Sequence, residues 1–152
     1  MKIFISYKHV DQAAANRVAL QLQQEGVEYF LDKLNENQNG LEISEYLKGH
    51  LRDCTDLIVV MSSATKSSWW VPWEIGVASG QDSPLATFVL DNTSIPDYLK
   101  KWPYLRSIAD VSTYVREKQK TDRYIIEKSA NFRTASSRTG EFYRRVRAAL
   151  GQ

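Results

Sequence analysis

Four short apolar segments, separated by longer helical stretches, constrain the fold of this 152-residue chain more than any other feature. Residues 56–61 (Asp-Leu-Ile-Val-Val-Met) form the clearest strand, because a run of β-branched and apolar side chains indicates burial on both faces. Similar segments at 2–7, 27–31 and 85–90 predict three more strands. Each connection is long enough to hold a helix, so the pattern predicts a parallel sheet covered by helices on both faces.

The remaining patterns complete the predicted topology. Apolar residues at helical spacing predict helices over 11–25 and 43–54, and an amphipathic stretch over 141–150 predicts a terminal helix. Arg106 to Val111 predicts a short fifth strand, whereas residues 113–139 are polar and their pattern is ambiguous. With right-handed crossovers, these elements favour an α/β fold, a flavodoxin-like three-layer sandwich with a five-stranded parallel sheet.

The composition favours one soluble domain, because 43% hydrophobic and 25% charged residues are ordinary for a globular protein. We expect a single domain over 1–152, with a core at about 1–111 and a C-terminal extension over 112–152 that ends in the terminal helix. The single cysteine, Cys54, excludes an internal disulfide and suits a reducing compartment. No signal peptide is recognised and no apolar run approaches the roughly 20 residues of a membrane-spanning helix. These features predict a cytoplasmic protein without a membrane partner.

The charge distribution does not indicate a polyanionic partner. The net charge is only +2, although basic residues are concentrated between Arg116 and Arg147. Nucleic acid or an acidic membrane could bind such a segment. Acidic residues are interspersed there and no aromatic–basic pattern recurs, which favours a solvated face over a nucleic-acid site.

The predicted sheet places a ligand site without reference to any motif. Parallel α/β sheets bind ligands at the carboxyl ends of their strands, where the first and third strands meet. This rule selects residues 6–9, residues 62–65, and the start of a helix predicted over 67–80 that ends at Gly80. Trp70 and Glu74 lie four positions apart on that helix, so they share one face.

Several common occupants of this architecture are excluded by their missing motifs. The chain has neither a G-x-G-x-x-G sequence nor a P-loop, which argues against a dinucleotide-binding Rossmann site or an NTPase. The strand ends lack the acidic residues of a phosphate-accepting response regulator. His9, His50 and Cys54 have no metal-ligand spacing, so no metal site is predicted.

The remaining arrangement is a carboxylate beside aromatic rings, facing a loop with Lys8. Aromatic faces bind planar rings and gain a further cation–π contribution of about 0.5–2 kcal/mol from a cationic ring. Lys8 could meet a phosphate, and Glu74 could stabilise an oxocarbenium-like centre. These properties fit NAD+, whose nicotinamide is a positively charged leaving group. NAD+ would then be a substrate, and no cofactor is predicted.

Four segments in order resemble the TIR domain family over about residues 1–111. Phe4-Ile-Ser-Tyr7 resembles the opening strand of the family, and Phe30-Leu-Asp32 resembles its second strand and the start of the BB loop. Residues 57–63 resemble the third strand. Ser68-x-Trp70-Val-x-x-Glu74-Ile resembles the αC segment, including the W-x-x-x-E pattern of NAD+-consuming bacterial members.

The resemblance implies roles for individual residues. Glu74 matches the catalytic glutamate of the family and Trp70 the aromatic residue of the same motif. Tyr7, Lys8 and Asp32 lie where loops border the nucleotide pocket of the family. The small bacterial members of anti-phage defence (Thoeris-like) convert NAD+ into a cyclic or modified ADP-ribose signal that a separate effector protein receives. Self-association through TIR–TIR contacts is also implied.

Three functional hypotheses follow. The first is an NAD+ glycohydrolase or ADP-ribosyl cyclase of the TIR type, with Glu74 as the catalytic residue. The second is a non-catalytic signalling adaptor that acts through TIR–TIR contacts of the loop 32–40 and the helix 43–54. The W-x-x-x-E motif favours the enzyme, because an adaptor has no use for it. The third and weakest is nucleic-acid binding by the basic C-terminal quarter.

Overall fold

In the computed structural model, strands and helices alternate through the first part of the chain and two helices follow. The described residues are 1–33, 49–64, 76, 78, 80, 82–90, 93–128 and 134–152, without the side chains of Asp32, Lys33 and Tyr98. The strands are β1 (Lys2–Tyr7), β2 (Glu28–Lys33), β3 (Asp56–Met61), β4 (Leu85–Val89) and β5 (Tyr104–Leu105). The helices with both ends described are α1 (Gln12–Gln24), α2 (Ile108–Glu127) and α3 (Ala135–Leu150), and short 3-10 turns cover His9–Asp11 and Asp97–Leu99. Residues 49–52, 76, 78 and 80 are also helical, and residues 43–48 of the predicted helix 43–54 lie outside the described residues.

The five strands form one parallel sheet in the order β2-β1-β3-β4-β5. This is the flavodoxin-like order that the sequence predicts, and the predicted bounds of β1 and β3 are confirmed. β1 lies between β2 and β3, with Ser6 opposite Asp32 on one side and opposite Val59 on the other. The chain therefore changes direction across the sheet at β1, and the loops after β1 and β3 leave the same edge.

Each face of the sheet buries its own apolar cluster. Ile5, Ile58 and Phe88 point to the face covered by α1, α2 and α3. Phe4, Val59 and Leu85 point to the opposite face, beside Leu51, Ala78 and Trp102. Alternation along each strand sends neighbouring residues to opposite faces, so the apolar runs serve both layers. Among the described residues, no helix is both long and apolar enough to cross a membrane.

The predicted fifth strand over Arg106–Val111 is wrong. β5 contains only Tyr104 and Leu105, and α2 begins directly afterwards. Ser107 is the N-cap: its side chain accepts a hydrogen bond from the Asp110 backbone N–H (3.2 Å), and Asp110 accepts one from the Ser107 N–H (3.1 Å). This capping box fixes a helix start where the β-branched residues alone suggest a strand.

The segment over 113–139, ambiguous from its sequence, is helical as far as Glu127. Val111, Tyr114 and Val115 are fully buried on one side of α2, which places an apolar stripe in an otherwise polar helix. α3 adds Phe142 and Val146, which are 1% and 0% exposed, and the Phe142 ring meets Tyr114 edge-on at 5.0 Å. α2 and α3 thus belong to the same core as β1 and α1, and residue 111 lies inside α2.

The helix that precedes β4 ends later than the predicted stop at Gly80. Gly80 is helical, and the left-handed backbone (φ +53°) occurs at Asp82. The Ser83 N–H donates to the Ala78 carbonyl at 3.1 Å, which is the six-to-one bond of a Schellman motif. A non-glycine residue therefore occupies the position where glycine is usual.

We predict that Asp82→Gly raises the free energy of unfolding by roughly 0.5–1 kcal/mol, because glycine adopts positive φ without steric cost. Thermal denaturation followed by circular dichroism measures the change. The matched variant is Gly26→Ala, at another left-handed position (φ +68°), which should lower the melting temperature. A lower melting temperature for Asp82→Gly would mean that the aspartate side chain stabilises this turn.

Candidate functional site

Polar side chains meet at the sheet edge where β1 and β3 end. The 3-10 turn His9–Asp11 follows β1, with the Asp11 N–H donating to the Lys8 carbonyl at 2.8 Å. Ser62 follows β3, and its hydroxyl donates to Oδ2 of Asp11 at 2.8 Å. This bond joins the two loops across the switch point of the sheet, so one side chain from each loop is held in a fixed position.

Asp11 is a buried carboxyl group at this edge. Burial raises its pKa, while the hydrogen bond from Ser62 and the charge of Lys8 act in the opposite direction. The sequence interpretation assigned Asp11 only to the start of the first helix and did not include it among the site residues. One sequence signal could have identified Asp11: it follows the predicted first strand closely. Loops that follow the neighbouring strands β1 and β3 leave the sheet at the same edge.

The predicted site residues differ in their burial, and some of them lie outside the described residues. Tyr7 is 1% exposed and belongs to the apolar cluster under α1, whereas Lys8 is partly exposed beside Asp11. Asp32 is in β2, and its backbone lies opposite Ser6. The Asp32 side chain, and Trp70 and Glu74 entirely, lie outside the described residues. Lys8, Asp11 and Ser62 are therefore the described side chains of the candidate site.

The histidines have no arrangement that suggests a metal. His50 stacks on Phe30 with ring centroids 4.0 Å apart and is half-buried, as expected for a boundary residue. In the part of the chain that the structure describes, no group of three or more His, Cys, Asp or Glu side chains could hold a metal ion. Cys54 is buried and carries a free thiol.

The basic C-terminal segment contains many paired charges. Lys118 binds Asp122 at 2.8 Å, and Arg144 and Arg145 both bind Glu141, at 2.7 and 2.6 Å. Paired cations along helices are typical of a solvated face, and they leave less charge for the phosphates of a nucleic acid. The pairing supports the solvated-face interpretation.

A second buried carboxylate, Asp56, lies at the opposite end of β3 from the candidate site. It is 2% exposed and accepts hydrogen bonds from Tyr114 Oη at 2.9 Å and from Thr55 Oγ1 at 2.5 Å. Burial raises the pKa of Asp56, and the charge of Asp122 raises it further. The charge of Lys118 and the two hydrogen bonds lower it, but burial has the larger effect. Burial also raises the pKa of the Tyr114 phenol, and the neighbouring Asp56 raises it further. Asp56 joins β3 to α2 and is a structural group.

We predict that Asp56→Asn removes part of the pH dependence of stability. Because the pKa of Asp56 is raised in the folded state, that state binds more protons, so the carboxyl group favours folding as pH falls towards 3.8 and opposes it as pH rises. Asparagine has nearly the shape of aspartate but does not titrate. The free energy of unfolding of the variant should therefore change less with pH than that of the wild type. Urea denaturation at several pH values measures it.

The exposed neighbour Asp53 provides the control. Asp53→Asn should follow the wild-type profile. A wild-type profile in Asp56→Asn would show that other groups produce the dependence.

A five-stranded parallel sheet in this order, with polar loops joined at its switch point, defines an α/β protein of the flavodoxin-like class. The model of the TIR domain family matches residues 3–124, and the chain belongs to this family. The match ends within α2, so α3 lies beyond it.

Two solved structures are similar to the chain, and the first of them supports the fold. The TIR domain of the Toll-related receptor TRR-2 from the lower metazoan Hydra magnipapillata is 15% identical, with a TM-score of 0.58 over 80% of this chain and 97% of the receptor domain. The TIR domains of the activated Roq1 resistosome, which directly recognises the pathogen effector XopQ, are 18% identical. The TM-score is 0.48, and the match covers 93% of this chain and 82% of the Roq1 chain. No curated protein sequence matches the chain.

Proposed function

We propose that this TIR domain cleaves NAD+ at the bond between nicotinamide and ribose. The observation that carries the proposal is the parallel sheet order, because it brings the start of the segment after β3 to the edge where β1 ends. That segment contains the W-x-x-x-E motif, from Trp70 to Glu74. Parallel α/β sheets bind nucleotides at this edge, which supports a nucleotide as the substrate.

The described side chains at this edge suit a dinucleotide. Lys8 is partly exposed and can meet a phosphate as a point charge. Asp11 and Ser62 are bonded to one another at 2.8 Å and hold together the loops that follow β1 and β3. Fixed loops hold a substrate in a reactive geometry at less entropic cost than mobile ones. In this proposal Lys8, Asp11 and Ser62 bind and orient, and Glu74 acts on the ribose.

The proposed reaction breaks the bond between ribose C1′ and the nicotinamide ring nitrogen. The electron pair leaves with nicotinamide, which becomes neutral, and the ribose becomes an oxocarbenium-like cation that the Glu74 carboxylate stabilises. Attack by water gives ADP-ribose and releases a proton. Attack by a nitrogen of the adenine in the same molecule gives a cyclic ADP-ribose instead.

The direct test is incubation of the purified protein with NAD+, with nicotinamide measured by chromatography and the other product identified by mass spectrometry. We expect equal amounts of nicotinamide and of ADP-ribose or a cyclic or modified form. The protein should be assayed over a range of concentrations, because self-association through TIR–TIR contacts is part of the proposal. An absence of nicotinamide release at every concentration would overturn it.

In the proposed assembly, an exposed apolar residue beside the candidate site would be covered. Val10, in the turn next to Asp11, is 70% exposed at the rim of the candidate site. A second copy of this chain that covers Val10 would also shield the site from water. The alternative function, an adaptor that acts only through such contacts, predicts that Glu74→Gln retains full biological activity.

The proposed biological role is bacterial anti-phage immunity of the Thoeris-like type, in a cytoplasmic protein. The nucleotide product would be the signal and a separate effector protein would receive it. Expression in bacteria challenged with phage, with and without Glu74→Gln, tests this role independently of the assay in vitro.

A further inference from the structure

The terminal helix α3 lies beyond the part of the chain that the TIR family model matches, and it reaches a border of the sheet. The match ends at residue 124, and α3 spans Ala135–Leu150. Phe142 and Val146 lie in the apolar cluster on the face covered by α1 and α2. Tyr143 packs against this cluster and also against the cluster on the opposite face. Because the sheet separates the two clusters, a side chain that packs against both lies at the border of the sheet.

The strand β5 forms one open edge of the sheet. Among the described strands it is last in the order and pairs only with β4, with Tyr104 opposite Thr87. The Thr87 N–H donates to the Pro103 carbonyl at 3.0 Å, so the groups of β5 that face β4 belong to the residues on either side of Tyr104. The N–H and C=O of Tyr104 itself therefore point away from the sheet, as groups that a further strand could bind.

The side chain of Gln152 bonds both of these groups. The Tyr104 N–H donates to Gln152 Oε1 at 3.1 Å, and Gln152 Nε2 donates to the Tyr104 carbonyl. These are the two bonds that a residue of an added antiparallel strand exchanges with the residue opposite. The carboxamide of Gln152 thus takes the place of a strand at this edge.

The turn at the end of α3 sets the position of Gln152. Gly151 has a left-handed backbone (φ +70°), and its N–H donates to the Ala148 carbonyl at 3.3 Å. The Gln152 N–H donates to the Arg147 carbonyl at 3.0 Å, which completes a Schellman motif. Arg147 also donates from Nη2 to the Lys100 carbonyl at 2.6 Å. The end of α3 is therefore fixed beside the segment that leads into β5.

A second side chain of α3 covers the same edge where β5 has not yet begun. β4 starts at Leu85, before its first pairing with β5 at Thr87. The Leu57 N–H donates to the Pro84 carbonyl at 2.9 Å, so the Leu85 N–H points away from β3. It donates to Tyr143 Oη at 2.8 Å. Leu85 is fully buried in a cluster against which Tyr143 packs, so apolar packing holds this contact and the hydroxyl satisfies the N–H within it.

We propose that α3 and Gln152 close the β4–β5 edge of the sheet against pairing with a second copy of this chain. A second copy is the partner that fits, because two Tyr104 residues related by a twofold axis would exchange the same two bonds in an antiparallel pair. Gln152 makes those bonds within one molecule, so β5 of another copy cannot make them. The closure concerns strand pairing at β5 alone, and the inference does not depend on cleavage of NAD+.

The variant Gln152→Ala opens the edge and tests the closure. The Tyr104 amide should exchange its hydrogen about tenfold faster than in the wild type, because it loses its acceptor. The dissociation constant of self-association, measured by sedimentation over a range of concentrations, should fall about tenfold, since a second copy no longer competes with two intramolecular hydrogen bonds. The matched control is Gln24→Ala, the same change at an exposed glutamine at the end of α1, which should leave both quantities unchanged.

The change Tyr104→Pro, made in the Gln152→Ala background, assigns the association to this edge. Proline has no N–H, and the Tyr104 N–H takes no part in pairing with β4, so β5 should persist while pairing between copies is lost. The double variant should return to the wild-type dissociation constant. Its melting temperature should stay close to that of Gln152→Ala.

An unchanged dissociation constant in Gln152→Ala would overturn the closure, even with faster exchange of the Tyr104 amide. Association that persists in the double variant would also overturn it, because another surface would then be responsible. An unchanged exchange rate at Tyr104 would show that Gln152 does not bind β5 in solution, and the closure would fall with that contact. None of these measurements uses NAD+, so their outcome is separate from that of the nicotinamide assay.

Discussion

Replacing Glu74 with glutamine is expected to lower the rate of nicotinamide release from NAD+ by about 100- to 1000-fold, the usual cost of losing one electrostatic contact to a transition state. Glutamine has nearly the shape of glutamate but no negative charge, so it cannot stabilise the positive ribose. Because the charge is lost mainly to the transition state, kcat should fall much more than KM changes. Steady-state assays of nicotinamide release measure both.

The control is Glu28→Gln, the same chemical change at an exposed residue at the start of β2, at the other end of the sheet. It should retain the wild-type rate. Both proteins should show wild-type melting curves, so that a loss of activity is not a loss of folding. Equal activity of Glu74→Gln and wild type would reject the catalytic role of Glu74 and favour the adaptor.

Replacing Phe142 with alanine is expected to destabilise the protein by about 3–5 kcal/mol, because a fully buried ring leaves a cavity between α3 and the core. The ring also loses its edge-on contact with Tyr114. For a chain of this size, the melting temperature should fall by roughly 6–20 °C. Thermal denaturation followed by circular dichroism measures the shift.

Ile126→Ala is the matched control, since Ile126 is an apolar residue of α2 that is 76% exposed. Its melting temperature should change by no more than about 2 °C, as for most exposed positions. A small effect of Phe142→Ala would mean that α3 is not part of the cooperative core.

The strands were predictable where burial on both faces leaves a strong pattern. β1 and β3 have the predicted bounds. Both are short runs of mainly apolar residues, and such runs are typical of strands that are buried on both faces of a sheet. The alternation of strands and helices and the handedness of crossovers left few topologies, and the flavodoxin-like order chosen among them is confirmed.

The C-terminal part was less predictable because its signals are local contacts. The Ser107 capping box outweighed the β-branched residues that suggested a fifth strand at 106–111. α2 looked polar because its buried stripe is narrow, and its burial depends on α1 and α3 packing against it. Tertiary packing overrides weak propensity in such helices.

The candidate site divides in the same way. The strand-end rule predicted its place, and the W-x-x-x-E motif predicted Trp70 and Glu74 as members, which lie outside the described residues. The contact between Asp11 and Ser62 could not be read from two residues 51 positions apart. Tyr7 was predicted at the nucleotide pocket, and the structure adds that its ring is buried under α1.

The sequence by itself determined the parallel α/β sheet and the TIR family pattern, because periodicity and motif order are properties of the chain. The edge of the sheet at which a ligand would bind stays a prediction from the same pattern. Only the tertiary structure decided which residues meet: Asp11 with Ser62, Asp56 with Tyr114, and α3 with the turn at Asp82. The physical reason is that hydrogen bonds and ring contacts act over a few ångströms in space. Separation along the chain does not encode them.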